Sequence, residues 1–270
     1  MLATKYAGPE KLPARVAVQP KLDGVRCLTY LKDGELFLQS RSGKPLIMPE
    51  GLMPQLCSMI NSLRGASMDG ELLLPQGYTF EQTVSAVRNG SDRQLSELIE
   101  YHVYDLFDTE AETCSFWARM LHLQESWGRV EPKRIIPVET YTDREDTRQS
   151  LHNRFIARGF EGTMYRDADS PYVHGRTKAL QKRKDFLDAE FTIIGHKVAV
   201  DQHEGCVVWE VDLGNGRTCE VTPAWTLERR RAVATIAESY YGEQLTVRYQ
   251  EWTADGSLRF PTGIEVRDYE

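Results

Sequence analysis

No apolar run in the chain approaches the roughly 18 residues that a bilayer crossing requires. The opening Met1-Leu2-Ala3-Thr4-Lys5-Tyr6 has no apolar core of the kind a secretory signal carries. A cytoplasmic protein with no membrane association is therefore expected. Cysteine is sparse and scattered: Cys27, Cys57, Cys114, Cys206 and Cys219 are odd in number and include no Cys-x-x-Cys pair, which excludes a zinc ribbon and argues against a disulfide scaffold. Positive charge is in deficit, with 33 Lys+Arg against 40 Asp+Glu and a net of −7, the wrong sign for a protein that coats nucleic acid. Internal repeats and low-complexity segments are also missing, so no solenoid or disordered tail is indicated. What remains is an ordinary globular composition, 41% apolar and 27% charged over 270 residues, enough for one large domain or two ordinary ones.

The distribution of charge says more than its sum. Between Ser170 and Lys184 stand Arg176, Lys178, Lys182, Arg183 and Lys184 with no acid among them, whereas residues 189–270 carry 8 Lys+Arg against 14 Asp+Glu. Periodicity predicts strands at 15–18, 25–31, 35–39, 67–74, 101–107, 162–166 and 180–185, with helices over 51–63, 79–89, 113–126 and 142–159. Asp33-Gly34 marks a hairpin, Thr79-Phe80-Glu81-Gln82 and Thr142-Asp143-Arg144-Glu145 read as capping boxes, and Asn89-Gly90 reads as a helix stop. Past residue 188 the texture changes to short strands at 191–200, 207–213, 218–221, 244–251 and 258–267, with Asn215-Gly216 and Asp255-Gly256 as turns. One helix is interposed, from Pro223 through 227–239. Five strands with one helix suit an OB-type barrel, with a sandwich or an open meander as alternatives. Two domains are expected, 1–188 and 189–270.

The most informative stretch is Lys21-Leu22-Asp23-Gly24-Val25-Arg26. Lys-x-Asp-Gly-x-Arg fixes four positions, and background frequencies would produce it by chance in a chain this long roughly 0.4% of the time. It offers an amine in a strand-to-turn position, a carboxylate two residues on, a glycine that allows close backbone approach, and a second cation. A lysine amine is a nucleophile once it is deprotonated, which burial or neighbouring cations bring about.

This stretch resembles the nucleotidyl-acceptor motif of the covalent nucleotidyltransferases: ATP-dependent DNA ligases, RNA ligases and mRNA capping enzymes. Further similar motifs follow in the family's order. They are Ser40-Arg41-Ser42-Gly43, Asp69-Gly70-Glu71, Tyr101-His102-Val103-Tyr104-Asp105-Leu106-Phe107, Glu161-Gly162-Thr163-Met164-Tyr165-Arg166, Leu180-Gln181-Lys182-Arg183-Lys184 and Arg259-Phe260-Pro261. Each is weak alone; the series spans nearly the whole chain.

The resemblance implies an α+β fold, with an ATP-grasp-like adenylation domain of antiparallel sheets and flanking helices followed by an OB barrel. It implies a minimal phage- or bacterial-type DNA ligase, working as a monomer on nicked double-stranded DNA. ATP is the adenylate donor and Mg²⁺, or Mn²⁺, the cofactor. Lys21 would carry the adenylate, with Lys182 and Lys184, two apart on one strand face, at the α-phosphate. Glu161 is the candidate metal ligand with Glu71 as a second carboxylate, and Glu71 would also hold the ribose hydroxyls. Tyr104 would stack on adenine, with Tyr101 and Phe107 as alternatives. By strand alternation Tyr104 shares a side with Leu106, and Gln19 points the same way as Lys21, towards the adenine edge. Arg26 and Arg41 would grip the ribose and the 5′-phosphate. Arg176, Lys178 and Arg259 join them on DNA, with Arg229 to Arg231 as further phosphate contacts.

Two departures stand out. The chain ends Arg267-Asp268-Tyr269-Glu270 without the lysine of the family's Arg-x-Asp-Lys element, leaving Arg259 as an alternative pyrophosphate contact. Only 20 residues precede Lys21, which points to ATP rather than NAD. An RNA ligase or GTP-using capping enzyme shares the first motif. A non-catalytic nucleic-acid-binding module is the reading from another class.

Overall fold

The computed structural model describes every residue except 48, 90–92, 108–112, 145–146, 201, 254 and 268–270. The predicted stop at Gly90, the cap at Glu145 and the terminal Asp268-Tyr269-Glu270 therefore lie outside the described residues. The chain divides into two units, 1–183 and 184–270. The first runs β1 (Leu2–Lys5), β2 (Val16–Lys21), β3 (Val25–Lys32), β4 (Glu35–Ser40), α1 (Met53–Ser62), β5 (Ser67–Leu73), α2 (Phe80–Asn89), α3 (Arg93–Ser96), β6 (Glu100–Phe107), α4 (Phe116–Val130), β7 (Ile135–Pro137), β8 (Tyr141–Thr142), α5 (Arg148–Ala157), β9 (Gly162–Asp167) and β10 (Arg176–Arg183). The second runs β11 (Leu187–Val198), β12 (Val207–Asp212), β13 (Thr218–Pro223), α6 (Leu227–Ala234), β14 (Gln244–Tyr249) and β15 (Thr262–Arg267).

The first unit holds two sheets, ordered β1-β10-β9-β2-β8 and β4-β3-β5-β6-β7. Pairing is antiparallel except at one edge of each, where β1 runs parallel to β10 and β7 to β6, so the sheets are mixed rather than purely antiparallel. β2 continues past its predicted end through Pro20 to Lys21. β8 pairs only with Ala17 and Val18, so the missing N–H of Pro20 faces no ladder. Asp33 and Gly34 both take positive φ (53° and 80°), the two-residue turn that suits the twist between β3 and β4. Thr79 and Gln82 cap α2 reciprocally, each backbone N–H donating to the other's side chain at 2.8 and 3.2 Å. Apolar faces of α1 and α4 close the second sheet into a core that includes Leu56, Met59, Tyr101, Phe116 and Met120.

The predicted box at Thr142 does not open α5. Thr142 pairs with Ala17 in β8, and the helix begins at Arg148, whose guanidinium holds Asp143. In the second unit the strands close in the order β11-β12-β13-β15-β14, which decides for a barrel over the sandwich and the meander. Trp209, Val211, Val221, Leu245 and Val247 fill it. Pro223 ends β13 instead of starting a helix. The helix is capped by Thr226 and stops at Ala234, with a separate 3₁₀ turn at Ala237–Tyr240.

Candidate active site

β2 delivers Lys21 at its last position, opposite Gly162 of β9, and the Glu161 N–H donates to the Lys21 carbonyl at 3.0 Å. That register sets Glu161 against the amine: Lys21 Nζ forms an ion pair with Glu161 Oε2, with the lysine side chain 19% exposed and the glutamate 4%. Lys21 opens into a cavity of about 840 Å³, within the roughly 300–1,000 Å³ of small-molecule sites. Gln19, Arg26, Arg41, Glu71, Tyr104, Arg176 and Lys182 line the same cavity. Eight Lys or Arg side chains line it against one acid, Glu71, so the cavity is cationic in a molecule whose net charge is −7.

Tyr104 reaches this cavity by a break in strand alternation. Asp69 pairs with Asp105 and Gly70 with Val103, which leaves Tyr104 as the extra residue of a β-bulge. Tyr101, Val103 and Leu106 all enter the core, so Tyr104 and Leu106 do not share a side as strict alternation predicts. Tyr101 is fully buried, its hydroxyl donating to the carbonyls of Cys27 and Met68 at 2.9 Å each, and does not line the cavity. Gly70 faces the bulge because a Cβ there would lie 2.4 Å from the His102 carbonyl oxygen.

A polar network that sequence reasoning missed lies beneath the cavity. The Gln19 side-chain amide donates to the Tyr104 carbonyl (3.3 Å) and Thr140 Oγ1 (3.0 Å) and accepts from Arg166 Nε at 2.7 Å. Both N–H donors of Gln19 are thus engaged, leaving one lone pair of its oxygen for any base edge. Arg166 also reaches Asp105 and lies 5.3 Å from the Tyr104 ring centroid. Its alternation with Gly162 and Met164 along β9 was the available signal. Arg26 makes a two-pronged pair with Asp69 at 2.9 and 2.7 Å, which with Tyr172 holds the buried Asp69 carboxyl below its usual range against the opposing effect of burial.

Burial pushes the Glu71 carboxyl from 4.5 up to about 8. The Asp69 charge adds to this, while Arg26 and a hydrogen bond from the Gly24 N–H oppose it. Between those values the folded chain binds more protons than the unfolded one, so this group's contribution to stability falls as pH rises towards 8. Glu71→Gln removes that slope: in urea titrations at pH 5, 7 and 9, the variant should gain on the parent protein up to about pH 8 and no further.

The remaining expected site residues have these surroundings. β10 ends at Arg183, so Lys184 does not share a strand face with Lys182. It donates to Gln250 at 3.2 Å, with its Nζ 5.0 Å from the Phe260 ring centroid. Lys178 is exposed and does not line the cavity, whereas Arg176 does. Arg259 pairs with Glu251 at 2.8 Å. The Arg229–Arg231 run is spent within the barrel. Arg229 is paired with Glu265 and stacked 4.1 Å from Trp225, Arg230 is 5% exposed, and Arg231 donates to the Glu204 carbonyl. Arg230 therefore cannot serve as a phosphate contact.

Two mixed sheets, followed in the chain by a closed five-stranded barrel, make a fold shared with solved DNA ligases. A Lig E DNA ligase structure superposes with a TM-score of 0.81 at 23% identity over 98% of both chains, and the bacteriophage T7 ATP-dependent ligase with ATP gives 0.57 at 20% over the same shares. Residues 1–184 match the ATP dependent DNA ligase domain and residues 203–267 the DNA ligase OB-like domain. The chain belongs to the ATP-dependent DNA ligase family. It is 26% identical over 251 residues to a DNA ligase of African swine fever virus, 87% of this chain and 59% of that one. It is 24% identical over 291 residues to a probable DNA ligase of Kineococcus radiotolerans, 97% of this chain and 54% of that one. The chain thus spans little more than half the length of these curated relatives.

Proposed function

We propose that this protein seals nicks between a 3′-hydroxyl and a 5′-phosphate in duplex DNA, using ATP and a lysyl-AMP intermediate. The observation that carries the reading is Lys21 at the end of β2, in contact with Glu161 and open to a cleft lined by Arg26, Arg41, Glu71 and Lys182. Deprotonated Lys21 Nζ attacks the α-phosphorus of ATP. The P–N bond forms, the bond to the bridging oxygen breaks, and pyrophosphate leaves with that electron pair. Glu161, already touching the amine, is placed to take the displaced proton. The 5′-phosphate of the nick then takes the adenylate from Lys21, and the 3′-hydroxyl displaces AMP. Lys182, Arg26 and Arg41 meet the negative charge at each stage.

Mg²⁺ or Mn²⁺ suits Glu161, since such ions take one or two carboxylates and complete their shell with water and phosphate oxygens. Among the described residues no group of three or more His, Cys, Asp or Glu forms a protein-only cage. Glu71 is the weaker candidate, because burial disfavours its charged form. When bound, the ion neutralises charge on the phosphate oxygens.

The experiment is direct: protein, Mg²⁺, ATP and a nicked duplex, with the joined strand resolved on a denaturing gel. Sealing of the DNA nick with ATP is the expected result. Preference for GTP, or for an RNA nick, would shift the assignment to a capping enzyme or RNA ligase. Absence of any joined product would leave a binding module.

A further inference from the structure

The connection from β9 to β10 leaves the first sheet and is tied to the elements of the second. Two residues of α4 hold its backbone: the Trp117 N–H donates to the Ala168 carbonyl at 3.2 Å, and Arg119 Nη1 to the Ser170 carbonyl at 3.1 Å. Tyr172 follows and is buried, its ring stacked on Phe107 of β6 with centroids 5.2 Å apart and 26° between the planes. This seating delivers the phenol hydroxyl to the buried Asp69 of β5. A carboxylate paired with a guanidinium can only accept, so the Tyr172 hydroxyl donates to Asp69 Oδ2, at 2.7 Å. The same hydroxyl lies 2.6 Å from the Met1 backbone nitrogen.

Asp69 in turn fixes Arg26. A guanidinium carries five N–H donors. Nε gives its hydrogen to Asp69 Oδ1 at 2.9 Å, while Nη2 reaches Oδ2 at 2.7 Å and the Tyr172 oxygen at 3.3 Å. Only the Nη1 pair is left without a partner among the described residues, and Arg26 lines the main cavity. With the phenol hydroxyl gone, Asp69 Oδ2 keeps only Arg26 itself and the Met1 nitrogen at 3.5 Å among the described residues, so carboxylate and guanidinium are free to turn together. A misplacement of about 1 Å in a group that orients a substrate costs up to about 10²-fold in rate. We propose that Tyr172 is a positioning residue for the sealing reaction: acting through Asp69, it sets Arg26 so that the Nη1 edge meets a phosphate of the bound substrate. The inference deepens the ligase reading and rests on it.

The test is a double-mutant cycle of Tyr172→Phe and Arg26→Lys, which keeps a charge beside Asp69 but lacks the fork. Single-turnover rates are measured for lysyl-AMP formation and for joining a nick whose 5′-phosphate already carries AMP, with melting temperatures alongside. Tyr172→Phe keeps the ring stack and should lower the joining rate by about 10-fold, the scale of a lost hydrogen bond to a charged group, while the affinity for the nicked duplex holds. In the Arg26→Lys background the same change should cost no more than about 2-fold, because the route through the fork is already broken. The Arg26 Nε–H signal in NMR, protected by Asp69 in the parent protein, should exchange faster with water in Tyr172→Phe. Ser126→Ala, which deletes a buried hydroxyl bonded to the Ser62 carbonyl between α4 and α1, is the control and should lower the melting temperature alone. A Tyr172→Phe protein that melts lower yet joins at the parent rate overturns the proposal. An equal loss in the Arg26→Lys background does so too, since Tyr172 would then act through Met1 or the packing of the connection, and so does an equal loss from Ser126→Ala. A parent protein that labels with ATP but joins no nick would strike the ligase reading alone, with the cycle then read on labelling and the Nε–H exchange.

Discussion

Lys21→Ala should form no covalent adenylate with ATP, a fall of roughly 10³-fold or more, the scale on which loss of a covalent nucleophile registers. The same variant should still join a nick whose 5′-phosphate already carries AMP, because that step needs the charge-stabilising residues of the cleft and not the amine as nucleophile. Lys21→Arg sharpens the test. A guanidinium keeps the positive charge beside Glu161 but is not deprotonated in proteins and so cannot attack phosphorus. If Lys21 served only as the structural partner of Glu161, the arginine variant would label nearly as well as the parent. If it is the acceptor, both variants lose labelling alike and both keep the final joining step. Label found on another residue in either variant would remove Lys21 from the mechanism.

The parts of this molecule that sequence made legible are those set by local rules. The reciprocal cap of α2, the positive-φ turn at Asp33-Gly34 and the five strands of the barrel follow from neighbouring residue types. The resemblance of short ordered motifs brought Lys21, Glu71, Tyr104 and Lys182 to one cleft. What failed to show was decided by partners distant in sequence. A bulge depends on the strand opposite, so the reversal of phase at Tyr104 is visible only against Asp69 and Gly70. Thr142 carries a capping pattern, yet pairing with Ala17 claims it for a strand. The three arginines 229–231 read as a basic patch until Glu265, Val207 and Glu204 are seen to occupy them. Charge written in sequence is not free charge.

The same point gives the largest stability prediction. Asp105 is fully buried and serves two guanidiniums at once: Arg119 Nε at 2.7 Å and Nη2 at 3.1 Å, and Arg166 Nη1 at 2.9 Å. Its Oδ1 also takes the Leu106 N–H at 2.8 Å. Arg119 and Arg166 are themselves 2% and 3% exposed, so neither can turn to water if the carboxylate is removed. Breaking a buried ion pair from one side costs about 3–5 kcal/mol because the remaining charge is left uncompensated. At roughly 2–4 °C per kcal/mol for a domain of this size, Asp105→Ala should lower the melting temperature by about 6–20 °C. Arg119→Met should cost less, since Asp105 keeps Arg166 and the apolar chain of methionine refills much of the space. Arg166 is the member that also holds Gln19 and faces Tyr104, so its loss should raise the KM for ATP as well as lower the melting temperature, whereas Arg119→Met should lower only the melting temperature. Equal destabilisation by Asp105→Ala and Arg119→Met would mean the network acts as separate pairs. Asp105 shared between two arginines requires the aspartate variant to be the worse.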